Sequence, residues 1–296
     1  MANDLSIGGT GGDSAELPLA LYTPRPALAA PAAELRAMGR DLLAARELGW
    51  RLFVRDVSAQ YRQSLLGITW AFLPPLLTGL VFIALQSKSV LNLADTAIPY
   101  PVFVLIGTCY WQVFIDALGA PLKSVTSAKP ILTRIHFPRE ALILSSLYWV
   151  LFNALLKGVV LVGVFVWFDV PVRLGLLLAP LAVAMLIVLG LAIGLMLTPI
   201  GMLYTDVSSG LTVAAQLWFF ATPVIYPAPE SFPLSLVATL NPVSPLLSAA
   251  RDWTATGHVA DPTAFWFVSG LAIAGFVAAW MFYRKALPIV GERMGA

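Results

Sequence analysis

Residues 129–140, KPILTRIHFPRE, gather Lys129, Arg134, His136 and Arg139 into one short connection, in a chain where only 11% of 296 residues are charged. Leu132, Thr133, Ile135 and Phe137 sit among those cations, and Glu140 closes the stretch. Such a segment has two uses. It can bind anionic lipid and fix topology, or it can dock in a groove that offers both apolar surface and acidic partners. Topology needs the cations but not Ile135 and Phe137 between them. Arg55 and Arg62 form a second group, just before the first apolar run. A planar guanidinium fork matches phosphate oxygens, and a lipid headgroup or a pyrophosphate satisfies it equally. Asp116 and Lys157 are the two charges inside apolar runs, where charge is costly and often functional. Asp116 either snorkels or meets an arginine of the basic connection. Lys157 either lines a polar cavity or snorkels outward. Measured along their runs they lie at different depths, so no pair between them is expected.

Catalytic signatures are missing. There is no G-x-x-x-x-G-K-[ST] phosphate loop and no H-E-x-x-H. The only histidines are His136 and His258, and carboxylates are sparse. No catalytic residue and no metal site is expected. The single cysteine, Cys109, cannot form an intrachain disulfide and reads as a small core residue.

The elements that position these residues follow from hydropathy. The chain is 59% hydrophobic with a mean hydropathy of +0.83, the composition of a polytopic membrane protein. A spanning helix needs about 20 apolar residues. Six runs qualify, at about 65–86, 99–121, 140–168, 174–198, 207–226 and 262–283, giving an all-α permease domain over 63–286. Pro74 and Pro75 are expected to kink the first. Residues 231–250 tempt a seventh span, but Pro233, Pro242 and Pro245 cut them into pieces too short to cross, so they read as short re-entrant or surface helices. With six spans and the N-terminus in the cytoplasm, 14 of the 18 lysines and arginines fall inside. Only Lys88, Arg173 and Arg251 fall outside, with Lys157 in the membrane. That bias places both termini in the cytoplasm.

Residues 1–33, rich in Gly, Ala and Pro, read as a disordered tail without a signal peptide. Residues 34–62 read as an amphipathic helix on the inner leaflet. Arg36, Arg40, Glu47, Arg51 and Arg55 share one face, Leu35, Met38, Leu42, Ala45, Leu48 and Leu52 the other, and Trp50 and Phe53 suit the headgroup level. Residues 287–296 read as a cytoplasmic tail. Trp70, Trp111, Phe114, Trp218, Phe219 and Tyr226 read either as interface-belt and packing residues or as the lining of a conduit. Flat apolar rings can stack on sugar faces without trapping a moving polymer.

Four motifs carry a family resemblance. RDVSAQYRQSLLGITWAFLPPL (55–76) matches through Arg55, Asp56, Tyr61, Arg62, Ser64, Leu66, Gly67, Trp70, Ala71 and Pro74. RIHFPRE matches through Phe137, Pro138, Arg139 and Glu140, and TPVIYP (222–227) and LNP (240–242) follow in the same order. Together they resemble the ABC-type polysaccharide and polyol-phosphate export permeases, especially the Wzm- and TagG-like O-antigen and teichoic-acid branches. The resemblance implies a homodimer whose first and fifth spans face each other, and two separate ABC ATPase subunits that bind ATP and Mg²⁺. No cofactor is implied for this chain. It implies a coupling helix docked on the ATPase through Leu132, Thr133, Arg134, Ile135, His136, Phe137, Arg139 and Glu140. It implies an undecaprenyl-pyrophosphate-linked polysaccharide as cargo, with Arg55, Tyr61 and Arg62 at a cytoplasmic gate, in a bacterial inner membrane. Export of capsule, teichoic acid, drug or lipid fits the same architecture. A membrane-embedded acyl- or glycosyltransferase is the reading from another class, and the poverty of histidines and paired carboxylates counts against it.

Overall fold

A computed structural model describes residues 31–62, 64–87, 98–132, 138–229, 231–232 and 234–295. Every regular element among them is a helix. The chain divides into two compact units, Met1–Arg40 and Asp41–Ala296. What is described of the first is the opening of helix α1 (Pro31–Ala44), which begins on Pro31. Proline suits that place because the first helical N–H has no partner to lose. The expected single helix over 34–62 is therefore two, α1 and α2 (Arg46–Arg62), with a turn at Ala45.

In the second unit a 3₁₀ turn (Gly67–Ala71) leads into α3 (Leu73–Ser87). Pro74 and Pro75 open α3 rather than kinking a longer helix, for the reason that applies to Pro31. Then come α4 (Tyr100–Leu132), α5 (Glu140–Trp167), α6 (Ala179–Leu203), preceded by a 3₁₀ turn, and α7 (Asp206–Ala221). Two short helices follow, α8 (Leu234–Leu240) and α9 (Val243–Ala255), split at Asn241 and Pro242. The chain ends in α10 (Pro262–Gly295). Residues 287–296, read as a tail, mostly continue α10 instead, and Leu287 is buried against Tyr283.

Among the described residues, four helical segments are long and apolar enough to cross a bilayer: Tyr100–Lys129, Glu140–Trp167, Leu174–Leu203 and Pro262–Val290. The expected first and fifth spans appear as the shorter α3 and α7. At 1.5 Å per residue, the 16 residues of α7 reach about 24 Å.

Helix α4 is the hub. It packs on α3, α5, α6, α7 and α9, and its Ile106, Cys109, Phe114 and Ala117 are fully buried. Its closest neighbour is α6. A Cβ on Gly194 would stand 2.5 Å from the Leu118 carbonyl oxygen, and one on Gly190 2.9 Å from that of Phe114. Only glycine allows backbones this near. The apolar stripe of residues 42–53 is covered by protein rather than facing away from it. Leu42, Ala45, Leu48 and Leu52 join Leu142, Leu144 and Tyr283 in one cluster. Gly49 makes this possible, since a Cβ there would meet Leu144 Cβ at 2.8 Å. Phe53 is buried between Tyr148 and Phe152, while Trp50 stays exposed. The outer faces of α5 and α10, with Leu155, Val162, Phe267 and Leu271, remain apolar and exposed.

Candidate functional site

Helices α3 and α7 stand on either side of α4 and leave a cleft of about 880 Å³ between them. Its floor is one face of α4: Thr108, Trp111, Gln112, Ile115, Gly119 and Lys123 recur at three- and four-residue steps. One wall is α7, presenting Ser208, Thr212 and Gln216 at i, i+4, i+8. The other is α3, presenting Thr78 and Phe82. The lining is mostly apolar, aliphatic side chains and aromatic rings set with hydroxyl and amide groups and the Lys123 ammonium, and it includes no carboxylate. A surface of this kind can hydrogen-bond and stack along a chain of sugars without a single deep anchor.

The aromatic residues divide. Trp111 and Phe219 line the cleft, their rings 5.8 Å apart edge to face. Phe114 is fully buried behind them and contributes no cleft surface. Trp218 packs edge-on against Phe114 at 5.3 Å, and its indole N–H donates to Asn241 Oδ1 at 3.0 Å. Tyr226 donates its hydroxyl to the Phe220 carbonyl at 2.7 Å, folding back the chain after α7. Trp70 is half exposed and rims a second recess.

That recess, of about 290 Å³, is shared by α2, α3, α4 and α5. At its base Lys157 Nζ lies 2.6 Å from Asp116 Oδ2, so the two intramembrane charges do pair, contrary to the expectation from sequence. The reason is the length of α4. It runs to Leu132, so Asp116 stands sixteen residues before its end and Lys157 seventeen after Glu140, at matching depth. Gln112 donates to the other Asp116 oxygen at 3.3 Å. Tyr61 closes the mouth, its phenol held above the usual range by burial and secondarily by the Asp116 charge. Of the two arginines expected at a gate, Arg55 is committed to Asp56 through Nε at 2.9 Å and Nη2 at 2.7 Å. Arg62 is exposed at the end of α2.

Of the expected coupling residues, Thr133, Arg134, Ile135, His136 and Phe137 lie outside the described residues. Leu132 ends α4 and Arg139 precedes α5. Glu140 is buried and ion-paired to Arg284 Nη1 at 3.3 Å, and the same guanidinium binds Asp41. This network ties the end of α1 and the start of α5 to α10.

Two residues carry more structure than their sequence positions suggest. Asn241 of the LNP motif accepts from Trp218 and the Val243 N–H, and donates to Thr222 Oγ1 at 2.8 Å. Arg251, expected in an outer loop, is 5% exposed. It donates to the Pro223 and Val224 carbonyls at 2.8 Å and stacks 3.7 Å from the Phe103 ring centroid. The TPVIYP and LNP segments are therefore the lock that fixes the end of α7. The readable clue to the cleft was the i, i+4 polar series on α7, which six-span counting passed over.

Comparison with known proteins finds relatives over most of the chain. The profile of the ABC-2 type transporter family matches residues 47–253. The chain is similar to the O-antigen export system permease protein RfbA of Myxococcus xanthus, 28% identical over 213 residues, which cover 71% of this chain and 81% of that protein. It is also similar to two Klebsiella pneumoniae proteins of the same name. One is 25% identical over 210 residues (67% of this chain, 76% of that protein), the other 24% over 235 (75% and 84%).

Proposed function

This chain belongs to the ABC-2 type transporter family, and on that premise we propose that it is the conduit-forming subunit of an exporter for lipid-linked polysaccharide of the O-antigen kind. The observation that carries this reading is the cleft between α3 and α7. It is lined by apolar side chains and aromatic rings set with hydroxyls, amides and one ammonium rather than by a catalytic set. The names of the three relatives point to the same cargo. One copy supplies half a wall, so two copies close the path, with α3 and α7 at the seam. The chain carries no phosphate-loop motif of its own, so the work comes from two separate ABC ATPase subunits, gripping the connection between α4 and α5. The cargo enters from the cytoplasmic leaflet of a bacterial inner membrane, and Arg62, exposed at the end of α2, makes the first contact with its pyrophosphate.

Affinity purification in mild detergent tests the reading. An ABC ATPase is expected to co-elute, and cells lacking this chain are expected to retain undecaprenyl-linked glycan inside. Export continuing in such cells would overturn it. Arg62→Ala, at unchanged protein level, is expected to slow export of radiolabelled lipid-linked glycan.

A further inference from the structure

Three hollows meet at one ammonium group. Lys123 lines the main cleft, the recess above the Asp116–Lys157 pair, and a third hollow of about 350 Å³ against α2 and α5. Its Nζ donates to Gln60 Oε1 at 2.7 Å and stands 4.1 Å from the centroid of the Trp149 ring. Both partners are neutral. Among the described residues no carboxylate stands within ion-pair distance of it. The two carboxylates nearest in the fold are already taken, Asp116 by Lys157 at 2.6 Å and Asp56 by Arg55 at 2.7 Å. A cation fixed in place by an amide and a ring, at the junction of a cleft with its side recess, is a charge awaiting a partner.

We propose that Lys123 receives the diphosphate of the lipid-linked cargo and holds it where the cleft meets the recess. The inference rests on the lipid-linked cargo of the proposed function and adds the site at which its charged group is held. Charge is the first argument. Asp116, Lys157 and Lys123 together leave one positive charge, carried by an exposed ammonium that an arriving anion can reach and neutralise. Chemistry is the second. A lysine ammonium offers rotatable donors suited to phosphate oxygens. Thr126 and Ser127, three and four residues on along α4, line the same cleft, but their hydroxyls already donate to the Leu122 carbonyl at 2.7 Å and the Ser124 carbonyl at 3.0 Å, so the ammonium itself carries the contact. Geometry is the third. Trp149, under the ammonium, and Trp70, across the recess, leave flat surface beside the anion for the first sugar. Arg55 is the weaker candidate, because Asp56 already satisfies its guanidinium.

The test measures binding of four probes to the purified full chain together with its co-purifying ATPase. They are a long-chain polyprenyl diphosphate, the matching monophosphate, the uncharged polyprenol, and sodium pyrophosphate. Wild type is expected to prefer the diphosphate lipid to the polyprenol. Lys123→Met is expected to weaken diphosphate-lipid binding about tenfold or more, the loss of one charge-assisted hydrogen bond, and to leave polyprenol binding unchanged. Lys123→Arg is expected to keep most of the affinity. Where Lys123→Met does not accumulate, Lys123→Gln carries the same expectation. Diphosphate-lipid binding that survives loss of the ammonium overturns the site. So does a wild type that binds the diphosphate lipid no better than polyprenol, and so does Lys123-dependent binding of sodium pyrophosphate without the lipid. None of these touches the export reading, which stands or falls on glycan retained in cells lacking the chain.

Discussion

Lys157, its side chain 3% exposed, sits among apolar helices with Asp116 Oδ2 2.6 Å away. Removing Asp116 leaves Lys157 unpaired and buried, a cost of about 3–5 kcal/mol. Asp116→Leu alone is therefore expected to lower the unfolding midpoint in detergent sharply. Asp116→Leu together with Lys157→Met, apolar and of similar volume, is expected to recover most of the loss. A double-mutant cycle reads the coupling directly, and additive losses would mean the pair contributes nothing. Both charges were visible in the sequence as oddities in apolar runs. Their pairing was not, because hydropathy ends the second run near residue 121 while the helix continues to Leu132. The polar residues 123–129 interrupt a hydropathy pattern but not a helix, so the depth of Asp116 was measured from the wrong end. Arg251 misled in the opposite way. A lone arginine between apolar stretches reads as a loop charge, yet two carbonyls and an aromatic face bury it.

At the scale of elements, the α4–α6 seam depends on backbones that touch. Gly194→Leu would drive a side chain into the Leu118 carbonyl and part the two helices. The expected cost is about 1–3 kcal/mol or more, read as lost monodisperse protein and a lower midpoint. Gly210→Ala, on α7 with nothing within 4 Å of the added Cβ, is the matched control. It is expected to be neutral or slightly stabilising, since alanine favours a helix by about 0.5–1 kcal/mol over glycine. Asn241→Leu tests the lock on α7. It strands the Trp218 indole N–H and the Val243 N–H at once. A loss of about 1–3 kcal/mol per buried orphan is expected, with a change in near-ultraviolet circular dichroism from Trp218. Long apolar runs were legible: α5 starts on Glu140 and ends within a residue of the expected limit, and α8 and α9 break at Pro242 as their prolines demand. The short helices were not. Hydropathy cannot tell an apolar 3₁₀ turn from the first turn of a helix, so α3 was drawn too long. Nor can it tell a stripe that meets lipid from one that meets α5, since both environments are apolar and only close packing at Gly49 separates them.

For the whole molecule, the question is what meets the unpartnered faces of α3 and α7. Leu80 on α3 and Leu217 on α7 are 65% and 70% exposed beside a cleft whose amide and ammonium groups would be poorly served by acyl chains. Lipid can cover the apolar residues of α5 and α10 at no cost. It cannot hydrogen-bond Gln216, whereas Ser208 and Thr212 already donate to the Thr205 and Ser208 carbonyls. A second copy turned about a twofold axis presents the same hydroxyls and amides, with room for water and glycan between, which is the homodimer of the proposed function. The chain suits a cysteine test, because its one native thiol, Cys109, is fully buried. Two differently tagged chains are co-expressed, one with Leu80→Cys and the other with Leu217→Cys, and mild oxidant is added to membranes. A covalent heterotagged dimer is expected from this pair. None is expected when the cysteines replace Leu155 and Val162 on the outer face of α5, equally exposed and equally apolar. Cross-linking through α5 with silence from α3 and α7 would place the twofold axis on the other side of the chain, and the cleft would then face lipid rather than its own copy.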